Sequence, residues 1–117
     1  MKALIIDDEI DICYLLSGIL KNKNIQPYYV NTLAEAGPAL KNQEPEIIFL
    51  DNHLPDGMGV DFIDQIKKLN PRSKIAMITA YDTAADRKKA ITKGVDFFIA
   101  KPFTRESIYE AISLFTG

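Results

Sequence analysis

Ile47-Ile48-Phe49-Leu50, closed by Asp51 and followed by Asn52-His53-Leu54-Pro55-Asp56-Gly57, decides how the rest of the chain is read. Four apolar residues in succession predict a strand covered on both faces, because a half-exposed strand would alternate apolar with polar. Ala3-Leu4-Ile5-Ile6, Ile75-Ala76-Met77-Ile78 and Phe97-Phe98-Ile99-Ala100 have the same form. Pro27-Tyr28-Tyr29-Val30 is a weaker strand, and its proline places it at a sheet edge or a strand start.

Helical periods fill the intervals. Ile12, Leu15, Leu16, Ile19 and Leu20 follow the i, i+3, i+4, i+7, i+8 spacing of one buried face. Phe62, Ile63, Ile66 and Leu69 make a second stripe, and Ile108, Ala111, Ile112 and Phe115 a third. Thr32 with Glu35, and Thr83 with Asp86, carry the capping-box pattern of a helix start. Two helices are weak. Gly37-Pro38 inside the second predicts that it is short, kinked or late to begin. The fourth is poor in large apolar residues and rich in Arg87, Lys88, Lys89 and Lys93, so it should rest lightly on the core. The sum is an α/β chain, (βα)5, with a doubly wound parallel five-stranded sheet and one domain over residues 1–117.

Composition narrows the function. A net charge of −2 and a pI near 5.3 argue against a nucleic-acid binder, which would be basic. One cysteine, Cys13, excludes an internal disulfide, and one histidine, His53, excludes a histidine-rich metal site. No apolar run approaches the roughly 18 residues of a membrane span. Met1-Lys2 is followed by only four apolar residues before Asp7, too few for a signal peptide. A cytoplasmic protein is expected.

In open α/β sheets ligands bind beyond the carboxyl ends of the strands. There the chain puts Asp7-Asp8-Glu9 after the first strand, Asp51 after the third, Thr79-Ala80-Tyr81 after the fourth and Lys101-Pro102-Phe103 after the fifth. Asp7, Asp8 and Asp51 sum to −3, and Lys101 leaves −2. Two like charges 4 Å apart repel by about 4 kcal/mol at an effective dielectric of 20. One Mg²⁺ would cancel that excess with oxygen ligands and retained waters. The remaining parts suit phosphoryl transfer: a carboxylate nucleophile, a lysine for the equatorial oxygens and a hydroxyl donor. Each has a plainer role by itself, Asp8 or Glu9 as a helix cap, Asp56-Gly57 as a turn, but four strand ends with compatible chemistry point to a site.

At these residues the sequence resembles the response-regulator receiver domain of two-component signalling over nearly its whole length. The matching pieces are Asp7-Asp8, Asp51, Leu54-Pro55, Gly59, Thr79-Ala80 and Lys101-Pro102-Phe103. The resemblance implies a flavodoxin-like sheet of order 2-1-3-4-5. It implies that Asp51 accepts a phosphoryl group from a histidine kinase, a phosphotransfer protein or a small phosphodonor. Mg²⁺ would be held by Asp8, Asp51 and the His53 carbonyl, with Asp7 acting through water and the imidazole facing solvent. Lys101 would pair with the phosphoryl group, Thr79 would move to bond it, and Phe98 would turn inward behind it. A cis Lys101–Pro102 bond is also implied. The domain would catalyse only its own phosphorylation and dephosphorylation, and would be no enzyme toward other substrates. Its output would pass through the fourth helix, fifth strand and fifth helix to an effector domain or partner protein, with phosphorylation-dependent dimerisation one form of it. His53 and Tyr81 stand where the family tunes phosphoryl lifetime, and both are bulky. Phe98 departs from the tyrosine common at the switch position, and so offers no hydroxyl.

Among rivals, a flavodoxin needs a Ser/Thr/Gly-rich phosphate loop where this chain has three acids. Neither G-x-G-x-x-G nor G-x-x-x-x-G-K-[ST] occurs. A haloacid-dehalogenase-type phosphatase would carry an aspartate at the position of His53. The remaining alternative is a receiver-like interaction module that is not phosphorylated.

Overall fold

The computed structural model describes residues 1–80 and 83–116. Its elements are β1 (Lys2–Ile6), α1 (Ile10–Lys21), β2 (Gln26–Val30), α2 (Leu33–Gln43), β3 (Ile47–Asp51), α3 (Gly59–Leu69), β4 (Lys74–Thr79), α4 (Ala84–Lys93), β5 (Phe97–Ala100) and α5 (Arg105–Thr116). A two-stranded antiparallel ribbon, His53–Leu54 with Gly57–Met58, lies between β3 and α3. The main sheet is parallel in the order β2-β1-β3-β4-β5, as the resemblance implied.

Unbroken apolar strands are needed because helices cover both faces. Ile47 and Phe49 of β3 point into one cluster with Leu16 and Leu20 of α1 and Ile108 and Ala111 of α5. Ile48 and Leu50 point into the other, with Leu40 of α2, Ile63 of α3 and Ala90 of α4. The polar strand β2 lies at an edge, where Pro27 faces only Ala3.

Two local expectations are corrected. In α1 the buried side chains are Cys13, Leu16, Ile19 and Leu20, whereas Leu15 is 55% exposed. Leu15 stands about 100° around the helix from Leu16, outside the arc that meets the sheet. Truncating Leu16 to Ala should therefore cost roughly 3 kcal/mol of unfolding free energy, and truncating Leu15 less than about 0.5. Urea melts giving equal losses would contradict this packing.

The second correction is α2, which starts at Leu33 and runs for 11 residues despite Pro38. Thr32 caps it by accepting from the Glu35 N–H, and Glu35 reaches back to the Asn31 N–H. Burial of Ala36 and Leu40 holds the far side. In α4 Thr83 caps Asp86 and Ala90 alone is buried, so the helix rests lightly on the core as expected. Its lysines are not left free: Lys89 pairs with Asp61 at 2.6 Å and Lys93 with Asp64 at 2.7 Å, both on α3.

Candidate functional site

The chain crosses from one half of the sheet to the other between β1 and β3, and their carboxyl ends carry the acids. Ile6 is in register with Leu50, so Asp7 and Asp51 leave adjacent strands side by side. Asp51 is itself the last residue of β3, opposite Ile78, and is 4% exposed. Thr79, also buried, ends β4 opposite Ala100. Lys101 follows β5, with its backbone N–H on the Thr79 carbonyl at 3.0 Å and a cis bond to Pro102.

These placements gather the predicted residues at one sheet edge. Asp7, Asp8 and Asp51 each offer a carboxylate oxygen, and the three oxygens lie within 4.8 Å of one another. Lys101 Nζ reaches Asp7 Oδ2 at 2.9 Å, Asp51 Oδ1 at 3.6 Å and Glu9 Oε1 at 3.6 Å. Burial pulls the Lys101 ammonium down, but the Asp7 hydrogen bond and the charges of Asp51, Asp7 and Glu9 outweigh it and leave its pKa raised. Burial, and then the charge of Asp7, push Asp51 up to about 6, against the opposing effects of Lys101 and the His53 N–H. One ammonium thus does not satisfy three acids. The donor set, hard oxygens with an unmet negative excess, fits Mg²⁺.

The loop after Asp51 is fixed at its root by close backbone packing. A Cβ on Gly59 would lie 2.2 Å from the Asp51 carbonyl oxygen, so the only side chain that fits is none. The Gly59 N–H donates to the Asn52 carbonyl at 2.8 Å, and Asn52 Oδ1 accepts from the Val60 N–H at 2.9 Å in the first turn of α3. Asn52 is buried and is not among the residues singled out from the sequence, where an asparagine next to the strand acid is the one signal. His53 is exposed, and its backbone N–H donates to Asp51 Oδ1 at 3.5 Å. Asp56 is more than turn chemistry, which corrects the plainer reading. Its two oxygens accept from the Leu33 and Ala34 N–H groups at 2.9 Å each, and these bonds hold its carboxyl below the usual range.

Behind Thr79 lies a pocket of about 10 Å³ bounded by Asn52, Val60, Met77, Ala90 and Phe98 among others. Phe98 is partly buried, with the Arg87 guanidinium 4.4 Å above its ring. Tyr81, expected to tune phosphoryl lifetime, lies outside the described residues.

Comparison with known proteins adds three findings. The family model "response regulator receiver domain" matches residues 3–113. The response regulator protein PilR of Pseudomonas aeruginosa is 32% identical over 96% of this chain, which spans 25% of PilR. The probable transcriptional regulatory protein TcrX of Mycobacterium tuberculosis is 30% identical over 92% of the chain, spanning 46% of TcrX. Thus the chain spans about a quarter to a half of these curated relatives. Among solved structures, the beryllofluoride-activated NtrC4 receiver domain dimer superposes with a TM-score of 0.89 at 37% identity, covering 97% of this chain and 94% of that one. A response regulator from Burkholderia pseudomallei, with a phosphorylated aspartic acid, calcium ion and citrate, gives 0.88 at 28% identity over 94% and 65%.

Proposed function

The chain belongs to the response regulator receiver domain family, and from that premise we infer that Asp51 is the phosphoacceptor of a Mg²⁺-dependent switch. The observation that carries the reading is the convergence of Asp7, Asp8, Asp51, Thr79 and Lys101 at one sheet edge. The relative with a phosphorylated aspartic acid and a calcium ion supports it.

An Asp51 carboxylate oxygen attacks phosphorus, and the P–N bond of a donor phosphohistidine, or the P–O bond of an acyl phosphate, breaks. The leaving nitrogen takes up a proton, or the leaving carboxylate departs as an anion. Lys101 is placed to neutralise an equatorial phosphoryl oxygen, and the Thr79 hydroxyl to donate to another. Asp8, Asp51 and the His53 carbonyl would hold Mg²⁺, with Asp7 bonded through water. When bound, the cation supplies positive charge to the phosphoryl oxygens. Hydrolysis returns the carboxylate and inorganic phosphate, and His53, two residues after the acceptor, restricts the attacking water. The domain catalyses these two steps on itself alone.

Thr79 and Lys101 begin the segments leading to α4 and α5, so their rearrangement biases the α4-β5-α5 face toward an effector domain or partner protein. A histidine kinase or phosphotransfer protein is the donor. Dimerisation on phosphorylation is one form the output takes; the beryllofluoride-activated NtrC4 receiver domain is a dimer.

Incubation with acetyl phosphate, followed by intact-mass spectrometry, tests the reading. Wild type should gain one phosphoryl group only with Mg²⁺, and Asp51→Ala none. No gain in folded wild type would overturn it and leave the unphosphorylated interaction module.

Protons and Mg²⁺ compete for Asp51, whose pKa near 6 makes affinity rise with pH. Between pH 5 and 7 the ionised fraction, and with it the Mg²⁺ affinity, should climb about tenfold. A calorimetric titration flat across that range would contradict the assignment of Asp51 as a ligand.

A further inference from the structure

Two loops carry the acids of the site, residues 7–9 and 51–58, and the start of α2 touches both. On one side Asn31 Nδ2 donates to the Asp7 carbonyl at 2.8 Å. On the other, the first two amides of α2 donate to the two oxygens of Asp56, at the tip of the ribbon whose base carries His53. Gly57 lets that tip sit close, since a Cβ there would come within 3.1 Å of Leu33 Cδ1. None of these bonds uses a side chain of the three clustered acids.

Thr32 accepts from the Glu35 N–H only, so the two amides before it still need acceptors. Asp56 supplies them from 22 to 23 residues away, and in capping α2 it joins that helix to the acceptor loop. Three carboxylates within 4.8 Å repel one another. Lys101 and the β1–β3 pairing hold Asp7 and Asp51 at their roots, and the bonds to residues 31–34 hold the loops beyond.

We propose that the Asn31 side chain and the Leu33 and Ala34 amides form a strap that fixes the spacing of the two acid-bearing loops, with Asn31 and Asp56 as positioning residues for the cation. The inference rests on the reading of the acid cluster as a Mg²⁺ site. A strapped site meets the cation with its ligands already in place, so binding does not have to order the loops. The helix N-terminus suits the task, because its amides and dipole favour a carboxylate.

The test is a calorimetric Mg²⁺ titration of the full chain at pH 7, with thermal midpoints recorded alongside. Asp56→Ala and Asn31→Ala should each weaken Mg²⁺ about fivefold, the size of a lost cap converted to affinity. Asp56→Asn keeps one acceptor oxygen and should fall between wild type and Asp56→Ala. It carries the comparison should the alanine variant fail to fold. Thr32→Ala removes the local cap from the same helix. It should lower the thermal midpoint yet leave Mg²⁺ affinity within about twofold. Wild-type affinity in both Asp56 variants, or a loss in Thr32→Ala equal to theirs, overturns the strap. Wild type that binds no Mg²⁺ overturns the strap together with the cation reading, a failure visible before any substitution is compared.

Discussion

Asp51→Asn is expected to abolish phosphorylation and, in the absence of Mg²⁺, to make the protein more stable at pH 7 by about 2 kcal/mol. Burial and the charge of Asp7 raise the folded-state pKa of Asp51 to about 6 from an ordinary 3.8. Between those two values the folded state holds a proton that the unfolded chain has released. The contribution of this group to stability therefore falls as pH rises from about 4 to 6, and above that window the folded protein carries an uncompensated charge. The full pKa difference, in which the attraction of Lys101 is already counted, corresponds to roughly 3 kcal/mol, and solvent screening at the open sheet edge brings the expected gain down. Urea unfolding at pH 7 and at pH 4 is the measurement: the variant's advantage should be large at the first and nearly gone at the second. Mg²⁺ should narrow the gap at pH 7 by binding the folded wild type. A variant less stable than wild type at pH 7 would mean that Asp51 is not the strained group in the cluster.

Gly59→Ala should be the most damaging single methyl in the molecule. Its Cβ would sit 2.2 Å from the Asp51 carbonyl oxygen and 3.1 Å from Leu50 Cγ, and a backbone oxygen has no rotamer by which to escape. Either α3 shifts outward, breaking the Gly59 N–H to Asn52 bond, or the end of β3 moves. Overpacking of this kind costs roughly 3 kcal/mol, and the acceptor moves with the strand end. Phosphorylation by acetyl phosphate should drop at least tenfold in the fraction that folds. Gly18 is the control, for it sits on α1 with nothing within 4 Å of its Cβ position. There the same substitution should stabilise the chain by about 0.5–1 kcal/mol, as alanine replaces glycine in an exposed helix. Similar melting curves for the two variants would refute the steric account of Gly59.

Strands were legible because parallel pairing between two helix layers demands continuous apolar runs, and the chain supplies them at Ala3–Ile6, Ile47–Leu50 and Ile75–Ile78. Strand ends then located Asp7, Asp51, Thr79 and Lys101, since parallel strands bring all their carboxyl ends to one edge. What escaped depended on how loops meet in space. Asp56 has partners in α2, 22 to 23 residues back, and no spacing rule joins a hairpin tip to a distant helix start. Leu15 satisfied the helical period but lay one step beyond the buried arc, a distinction set by the angle at which α1 meets the sheet. The ion pairs of α4 had a readable signal in hindsight: Asp61 and Asp64 lie three apart on α3, and Lys89 and Lys93 four apart on α4. Either spacing keeps a pair on one helix face. Pro38 misled because propensity counts only the lost hydrogen bond, whereas α2 gains from two separate caps and a buried side.

The pocket behind Thr79 holds about 10 Å³, enough for one water and far too little for a phenyl ring. On the proposed reading Phe98 turns inward behind Thr79, and the face it shares with α4 through the Arg87 contact changes with it. A protein that grips the changed face and a phosphoryl group on Asp51 then favour the same arrangement. By thermodynamic reciprocity each strengthens the other's hold by one common factor. The partner that receives the signal is thereby a determinant of how much signal the domain stores, and charge retained on Asp51 becomes a property of the complex.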